Sequence, residues 1–256
     1  MFTANYHTHT YRCNHAVGTE REYIECAINA GLKTLGFSDH CPQIFPNGYE
    51  SGFRMLPQQV EDYFSTLSAL KEEYADRIDI KIGFEAEYYP AFFQDLLNYL
   101  EPYPCDYLIL GQHFMENELS GRIAHIKTDK EQDLTDYVNQ VCEAMRTGKF
   151  TYLAHPDILC FQGDDDIFRR EYEKLFACSR ETAVPLEINF LGIRENRHYP
   201  NEKFWSLAAQ KGVDVVFGCD AHSPKAVADI ASYNTMLRLV KQYQLHLVEP
   251  TLRPLS

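Results

Sequence analysis

Positive charge is scarce in this chain. It has 24 Lys and Arg residues against 37 Asp and Glu residues, which gives a formal net charge of −13 at pH 7. Proteins that bind nucleic acid need a basic face that displaces counterions from the phosphates. No run of Lys or Arg supplies such a face, so we expect no nucleic-acid partner. An acidic surface can still receive a small anion where bound metal ions reverse the local charge.

Long apolar runs and linker-like stretches are also missing. No apolar segment approaches the ~20 residues needed to cross a bilayer, and residues 1–6 lack the basic and apolar regions of a secretory signal. These absences predict a soluble, cytoplasmic protein that has no membrane partner. No linker rich in Gly, Ser or Pro divides the 256 residues. We therefore expect a single domain, residues 1–256, a length that α/β barrels commonly reach.

Paired cysteine motifs are missing as well. The eight cysteines are spaced irregularly, and no two of them form a CxxC pair. In a chain of this length without a secretory signal, such spacing favours reduced thiols that are mostly buried over a disulfide framework. It also argues against a zinc–thiolate site.

Short apolar runs alternate with segments of helical period. Seven strands are predicted, at residues 6–10, 32–39, 78–87, 107–113, 152–155, 185–189 and 213–219. A capping box from Thr19 to Glu22 begins the first predicted helix, and Gly31 ends it. Repeated βα units predict a parallel sheet, which is either closed as a barrel or open and doubly wound. No GxGxxG or GxxxxGK[ST] motif follows a strand, which weakens the nucleotide-binding versions of the open sheet.

Metal-ligand residue types recur at or beyond the carboxyl ends of these strands, where barrel enzymes assemble their sites. The predicted ligands are seven histidines and two carboxylates, namely His7, His9, His15, His40, Glu85, His113, His155, Asp220 and His222. Nine nitrogen and oxygen ligands exceed the needs of one tetrahedral ion, so they predict two or three divalent ions of Zn, Mn or Fe. Clustered ions acidify a shared water and neutralise phosphoryl oxygens, which favours a phosphoesterase. His125 and His246 lack this placement, and we interpret them as surface residues.

The same residues carry a family resemblance. The motifs are His7-Thr8-His9, His15, Ser38-Asp39-His40, Gly83-Phe84-Glu85, Gly111-Gln112-His113, Ala154-His155-Pro156 and Asp220-Ala221-His222. In order and spacing, this set resembles the PHP (polymerase and histidinol phosphatase) family from residue 7 to about residue 230. The resemblance implies an α/β fold of the TIM-like kind, a distorted (β/α)7 barrel with a trinuclear metal centre.

The resemblance also implies how the ligands divide among three ions. One ion would take His7, His9, Glu85 and Asp220, a second would take Glu85, His113 and His155, and a third would take His15, His40 and His222. Glu85 and Asp220 would act in catalysis by setting the spacing of the ions and the acidity of the water between them, and the resulting metal-bridging hydroxide would attack phosphorus. Either Asp39 or a metal-bound water would protonate the leaving alkoxide.

Two loops that contain arginine resemble the histidinol-phosphate phosphatase branch of the family. Arg54 lies in the loop after strand two, and Arg194, Arg197 and His198 lie in the loop after strand six. An arginine fork binds phosphate oxygens in a bidentate manner, so these residues are the predicted substrate-binding set. The implied reaction is hydrolysis of L-histidinol phosphate, a small phosphomonoester, in histidine biosynthesis. The alternatives are a PHP phosphoesterase for another small phosphate ester or nucleotide, and a non-catalytic PHP module.

Overall fold

A curled sheet surrounded by helices makes up the part of the chain that the computed structural model describes, residues 2–255. Within these residues the strands are β1 (Ala4–Asn5), β2 (Thr34–His40), β3 (Asp79–Ala86), β4 (Tyr107–Leu110), β5 (Phe150–Leu153), β6 (Leu186–Asn189), β7 (Asp214–Gly218) and β8 (His246–Leu247). The helices are α1 (Glu20–Asn29), α2 (Val60–Glu73), α3 (Phe93–Leu100), α4 (Glu131–Arg146), α5 (Asp165–Thr182), α6 (Phe190–Arg194), α7 (Glu202–Gln210) and α8 (Ile230–Tyr243).

The strands are parallel and follow chain order across the sheet, from β1 to β8. The segment beyond β1 then meets the segment beyond β7 through a parallel bridge between Thr8 and Ala221. Its hydrogen bonds run from His9 N to Ala221 O at 3.0 Å and from Ala221 N to His7 O at 3.2 Å. This bridge curls the sheet into a distorted barrel, which confirms the predicted fold class and decides against the open sheet.

Two details of the strands differ from the sequence prediction. Regular pairing of the first strand ends at Asn5, and residues 6–10 contribute only the isolated bridge at Thr8. Residues 2–255 also contain an eighth strand that the prediction missed, in which His246 pairs with Asp214 and Leu247 pairs with Val215 of β7. Two residues are too short for a periodic pattern to reveal a strand.

Local signals explain the ends of the helices. Thr19 and Glu22 form the predicted capping box at the start of α1, and Gly31 after its end has a φ of +83°, which favours glycine. Asp164 caps α5 by accepting hydrogen bonds from Asp166 N and Ile167 N, and Asn201 caps α7 in the same way. No helix within residues 2–255 combines the length and the apolar character needed to span a membrane.

The core has an outer and an inner layer. The outer layer packs the helices against the sheet, with residues such as Leu134, Val138 and Val141 of α4 fully buried. The inner layer lies inside the curl of the sheet and consists of Tyr6, Tyr107, Ile109, Tyr152, Ala154 and Val216. The hydroxyl of Tyr107 donates to Tyr6 O at 2.7 Å and to Phe37 O at 3.1 Å, which ties the inner layer to β2. All eight cysteines are free thiols, and six of them are buried.

Candidate metal centre

The carboxylate of Glu85 lies between two sets of histidines. Its Oε2 atom is 2.9 Å from His40 Nδ1, and it is 3.6 Å from the Nε2 atoms of both His7 and His9. Its Oε1 atom is 2.8 Å from His155 Nε2 and 3.7 Å from His113 Nε2. Each oxygen therefore faces its own group of imidazoles, an arrangement that suits a carboxylate bridging two cations.

The carboxylate of Asp220 is the second acidic group in the histidine cluster. Its Oδ1 atom is 3.2 Å from His9 Nε2, 3.6 Å from His7 Nε2 and 3.3 Å from His222 Nδ1. In the described part of the chain, no hydrogen-bond partner reaches Asp220 Oδ1, His7 Nε2 or His9 Nε2, although all three atoms are buried. Buried polar atoms normally have a partner. Three such atoms that converge on one point fit a divalent cation held by His7, His9 and Asp220.

The outer histidines form a stack toward the rim. The ring of His9 lies 4.0 Å from that of His222 at an angle of 18°, and the ring of His15 lies 4.7 Å from that of His222. The Nε2 atoms of His15 and His222 are only 3.0 Å apart. Two neutral ring nitrogens facing each other with their lone pairs repel, so this spacing suits a shared cation. Ligand atoms of His9, His40 and His222 also lie within 4.8 Å of one another.

The charges of the cluster favour a cation among the histidines. Metal ligands must be deprotonated, so a bound metal ion would take the place of a proton. Burial disfavours the charged form of a carboxyl, but His40, His7 and His113 hold the pKa of Glu85 well below its usual range. Burial lowers the pKa of His40 well below its usual value. Burial also lowers the pKa of His7, but Glu187, Asp220 and Glu85 outweigh it and raise that pKa to about 10. The carboxylates thus favour positive charge at this point, which a metal ion would supply.

Unusual backbone conformations bring the ligands together. His155 has a φ of +31° and Asp220 a φ of +46°, in the left-handed region that non-glycine residues rarely adopt. Each lies two residues past the end of a barrel strand, so the sharp turn aims its side chain across the mouth instead of along the strand. Gly111 is needed for a related reason, because a Cβ atom there would collide with the carboxylate of Glu85.

Buried carboxylates behind the histidines hold the rings in place. Glu87 Oε1 lies 3.0 Å from His113 Nδ1, and Glu187 Oε1 lies 2.7 Å from His7 Nδ1. Asp39 Oδ1 lies 3.4 Å from His9 Nδ1, and Asp39 also accepts hydrogen bonds from Thr10 Oγ1 and His40 N. Such outer carboxylates fix the tautomer of a ligating histidine. Glu187 was not among the predicted site residues. Its spacing of two from Asn189 near the end of β6 places both residues on one face of the strand, but this spacing does not reveal the contacts to His7 and His155.

A cavity of about 590 Å³ opens over the cluster. Its ligand wall comprises His15, His40, Glu85, His113, His155, Asp220 and His222. Its apolar side chains are Phe53, Phe114, Ile123, Ile158, Leu191 and Tyr199, and its polar side chains are His125, Glu195 and Arg197. His125 was expected to be an ordinary surface residue, yet it lies on this cavity. Among the arginines proposed to bind substrate, Arg197 is the one on the cavity lining.

The other two predicted arginines make structural contacts. Arg54 is 2% exposed, and its guanidinium donates to Glu87, to Glu118 and to the carbonyl of Cys41. Arg194 donates to the carbonyl oxygens of Cys219 and Asp220, at 2.7 and 2.8 Å, and approaches Asp229. Neither arginine is brought to the cavity, because buried or backbone acceptors nearer to them already use their N–H groups.

His198 and Asp39, the remaining predicted residues, also make contacts away from the cavity lining. His198 Nε2 donates to the carbonyl of Ile158 at 2.7 Å, which anchors the loop that holds Arg197. Asp39 is fully buried behind His9 and is not on the cavity lining. The structure thus brings together all nine predicted metal ligands and Arg197, and it leaves Arg54, Arg194, His198 and Asp39 behind them.

Known proteins resemble this chain in sequence and in fold. The sequence profile of the PHP domain matches residues 5–190. A Deinococcus radiodurans protein named "Probable histidinol-phosphatase" is 31% identical over 86% of this chain and 86% of its own length. The Bacillus subtilis "Histidinol-phosphatase" is 24% identical over 84% of this chain and 92% of its own length. The crystal structure of a Lactococcus lactis histidinol phosphate phosphatase complexed with Zn, L-histidinol and phosphate matches 98% of this chain and 97% of its own, with a TM-score of 0.74 and 20% identity.

Metal binding should stabilise the protein strongly, because the convergent buried atoms gain a partner only when a cation is present. A ligand at 100 to 1,000 times its Kd adds about 2.7–4.1 kcal/mol, which corresponds to a rise in Tm of roughly 5–15 °C for a protein of this size. We expect a rise of that order when Zn²⁺ or Mn²⁺ is added to chelator-treated protein in a thermal melt.

The matched variants are Glu85→Gln and Glu171→Gln. Both carboxylates are buried, but Glu171 lies on α5 and pairs with Arg170 and Lys174. We expect Glu85→Gln to lose most of the metal-dependent rise in Tm and Glu171→Gln to keep it. An equal rise in Glu85→Gln and in the unchanged protein would contradict the central position of Glu85.

Proposed function

This chain belongs to the PHP domain family, and we propose that it is a metal-dependent phosphatase that hydrolyses L-histidinol phosphate to L-histidinol and phosphate. The observation that carries the proposal is the mouth of the barrel, where the nine proposed ligands converge and seven of them line one cavity with Arg197 and an apolar wall. The relatives named as histidinol-phosphatases support the choice of substrate. The same names support a place in histidine biosynthesis.

We propose two or three divalent ions per chain, of Zn, Mn or Fe. One ion would be held by His7, His9, Asp220 and Glu85. A second would be held by His113 and His155 together with Glu85, which would be a ligand of both ions. A third would be held by His15, His40 and His222. When bound, such ions acidify water to a nucleophile near neutral pH and neutralise phosphoryl oxygens. The zinc in the Lactococcus lactis structure supports zinc as one candidate.

Arg197 is the proposed contact to phosphate. Its side chain is 41% exposed on the cavity, and its guanidinium donates to Glu195 and, at 2.9 Å, to the hydroxyl of Tyr199. Glu195 is itself half exposed, so a surface pair of this kind is weak and easily exchanged. A dianionic phosphate would replace Glu195 as the partner and would receive a charge-assisted, bidentate contact.

The two buried arginines have positioning roles in this proposal. Arg54 forms ion pairs with both Glu87 and Glu118, and Glu87 in turn holds His113 by its ring and its backbone N–H. Arg194 holds the backbone of Asp220 through its carbonyl oxygen. Both arginines therefore act through a ligand residue. In the same way, Asp39 orients His9 in this proposal and does not donate the proton to the leaving group.

The apolar side of the cavity supports an organic substrate that carries a ring. Phe53 and Phe114 have ring centroids 5.7 Å apart, and Phe53 also lies edge-on to His40 and His113. A planar imidazole would pack against these rings close to the ligand wall, while the phosphate faces the ions. Another small phosphate ester with an apolar group is the alternative, and the substrate panel below separates the two.

Metal analysis checks the number of ions. We expect two or three equivalents per chain in protein loaded with Zn²⁺ or Mn²⁺ and then desalted, and prolonged treatment with a chelator should remove both the metal and the activity. The measurement is elemental analysis against protein concentration. One equivalent or fewer at saturation would contradict the division of ligands described above.

Steady-state kinetics on a panel of esters checks the substrate. We expect kcat/KM for L-histidinol phosphate to exceed those for phenyl phosphate and for a nucleoside monophosphate at least about tenfold, since a misfit of even one methylene group in a pocket is worth ~1–3 kcal/mol of discrimination. A phosphodiester should react more slowly still, because it lacks the second phosphate charge. A preference for the nucleotide would point to the alternative phosphatase, and metal-loaded protein without turnover of any ester would overturn the proposal.

Arginine variants separate binding from structure. Loss of one charge-assisted hydrogen bond, worth about 1.5–3 kcal/mol, should lower kcat/KM of Arg197→Ala about 10- to 100-fold with little change in Tm. Arg54→Met should instead lower the stability by about 3–5 kcal/mol, because it removes the cation that pairs with the buried carboxylates of Glu87 and Glu118. The control Arg146→Ala removes an arginine at the end of α4 that is 55% exposed and pairs with the exposed Glu181, and it should alter neither property. Unchanged kinetics in Arg197→Ala would mean that the ions alone hold the phosphate.

A further inference from the structure

Strand β6 supplies none of the nine proposed metal ligands, yet it places Glu187 directly behind them. We propose that Glu187 is a positioning residue that aligns three of the proposed ligand residues, His7, His155 and Asp220. The proposal rests on the metal centre of the proposed function. In this proposal, a residue of β6 aligns ligand residues that lie after the neighbouring strands β5 and β7 and after β1.

The contact with His7 is the most direct. Both side chains are fully buried, and Glu187 Oε1 lies 2.7 Å from His7 Nδ1. A carboxylate at this position accepts the proton of Nδ1, so the lone pair of the ring must lie on Nε2. That Nε2 atom is the one that faces Glu85 and Asp220 without a hydrogen-bond partner in the described chain. Glu187 thereby selects the tautomer that can bind a metal.

The second oxygen of Glu187 acts on the other two ligand residues. Oε2 accepts a hydrogen bond from the backbone N–H of His155 at 3.0 Å, at the residue whose φ is +31°. Oε2 also accepts from Asn189 Nδ2 at 2.9 Å, and the same amide group donates to Asp220 Oδ2 at 3.1 Å. The left-handed turn at His155 and the carboxylate of Asp220 are thus both tied to one buried group.

The surroundings of Glu187 are shaped for a carboxylate. Gly218 of β7, the register partner of Asn189, lies against the carboxylate of Glu187, and a Cβ atom there would collide with Glu187 Oε1. Within residues 2–255, His7 is the ion-pair partner of Glu187, and no Lys or Arg pairs with it. Glu87 differs, because Arg54 balances its charge. A buried carboxylate without a fixed cation is costly, so the charge of Glu187 is best explained by the cations that the nearby ligands would hold.

The experiment compares Glu187→Gln and Glu187→Asp with the unchanged protein and with Glu171→Gln, the buried carboxylate on α5. Competition with a metal-binding dye gives the affinity for Zn²⁺, and thermal melts give Tm with and without metal. Outer carboxylates typically change metal affinity 10- to 100-fold. We expect a loss of that size in Glu187→Gln, a smaller loss in Glu187→Asp, and none in Glu171→Gln. At saturating Zn²⁺, kcat should recover in large part while KM for the ester stays the same.

The outcomes separate this inference from the proposed function. If the unchanged protein binds no Zn²⁺, the metal centre itself fails. If it binds Zn²⁺ and both Glu187 variants bind equally well, the positioning role alone is overturned. A lower Tm without metal, together with an unchanged affinity for Zn²⁺, would show a purely structural role and would also overturn it. Should Glu187→Gln fail to fold, Glu187→Asp keeps the charge and decides by its affinity.

Discussion

A buried negative charge that needs cations around it is the constraint on which the mouth of this barrel depends. The carboxylate of Glu85 is 2% exposed and has five histidine rings within 3.7 Å. Removing such a charge from water is expensive unless opposite charge compensates it. Neutral imidazoles do not compensate it fully. Metal ions between Glu85 and the histidines would compensate this charge. The neighbouring carboxylates also raise the pKa of His7 to about 10 despite its burial, which agrees with a site that favours positive charge.

The fold serves this constraint by bringing strand ends to one point and by excluding water below them. The bridge between Thr8 and Ala221 places His7 and His9 next to Asp220, although more than 200 residues separate them in the chain. The inner aromatic layer around Tyr107 and Tyr152 fills the barrel beneath. The ligands therefore lie above a buried aromatic layer, where the interaction between two charges is stronger than in water.

The sequence could predict which residues converge at the mouth of the barrel because the period of a strand and the position of its carboxyl end are local properties. His40, Glu85, His113 and His155 could be placed without knowledge of any contact across the sheet. The arginines were harder, since Arg54 and Arg197 look alike in a loop and differ only in which carboxylate packs against them. Glu187 was missed for the same reason. Its role depends on contacts to His7 and His155, which lie 180 and 32 residues away, and no local pattern reports them.

The position of Glu85 between two cations can be tested by anomalous diffraction from crystals of the Mn- or Zn-loaded protein, recorded at the absorption edge of the metal. We expect at least two anomalous peaks with Glu85 between them, so that Oε1 contacts one ion, beside His155, and Oε2 contacts another, beside His7 and His9. A single peak, or peaks that leave both oxygens of Glu85 without a metal contact, would contradict it.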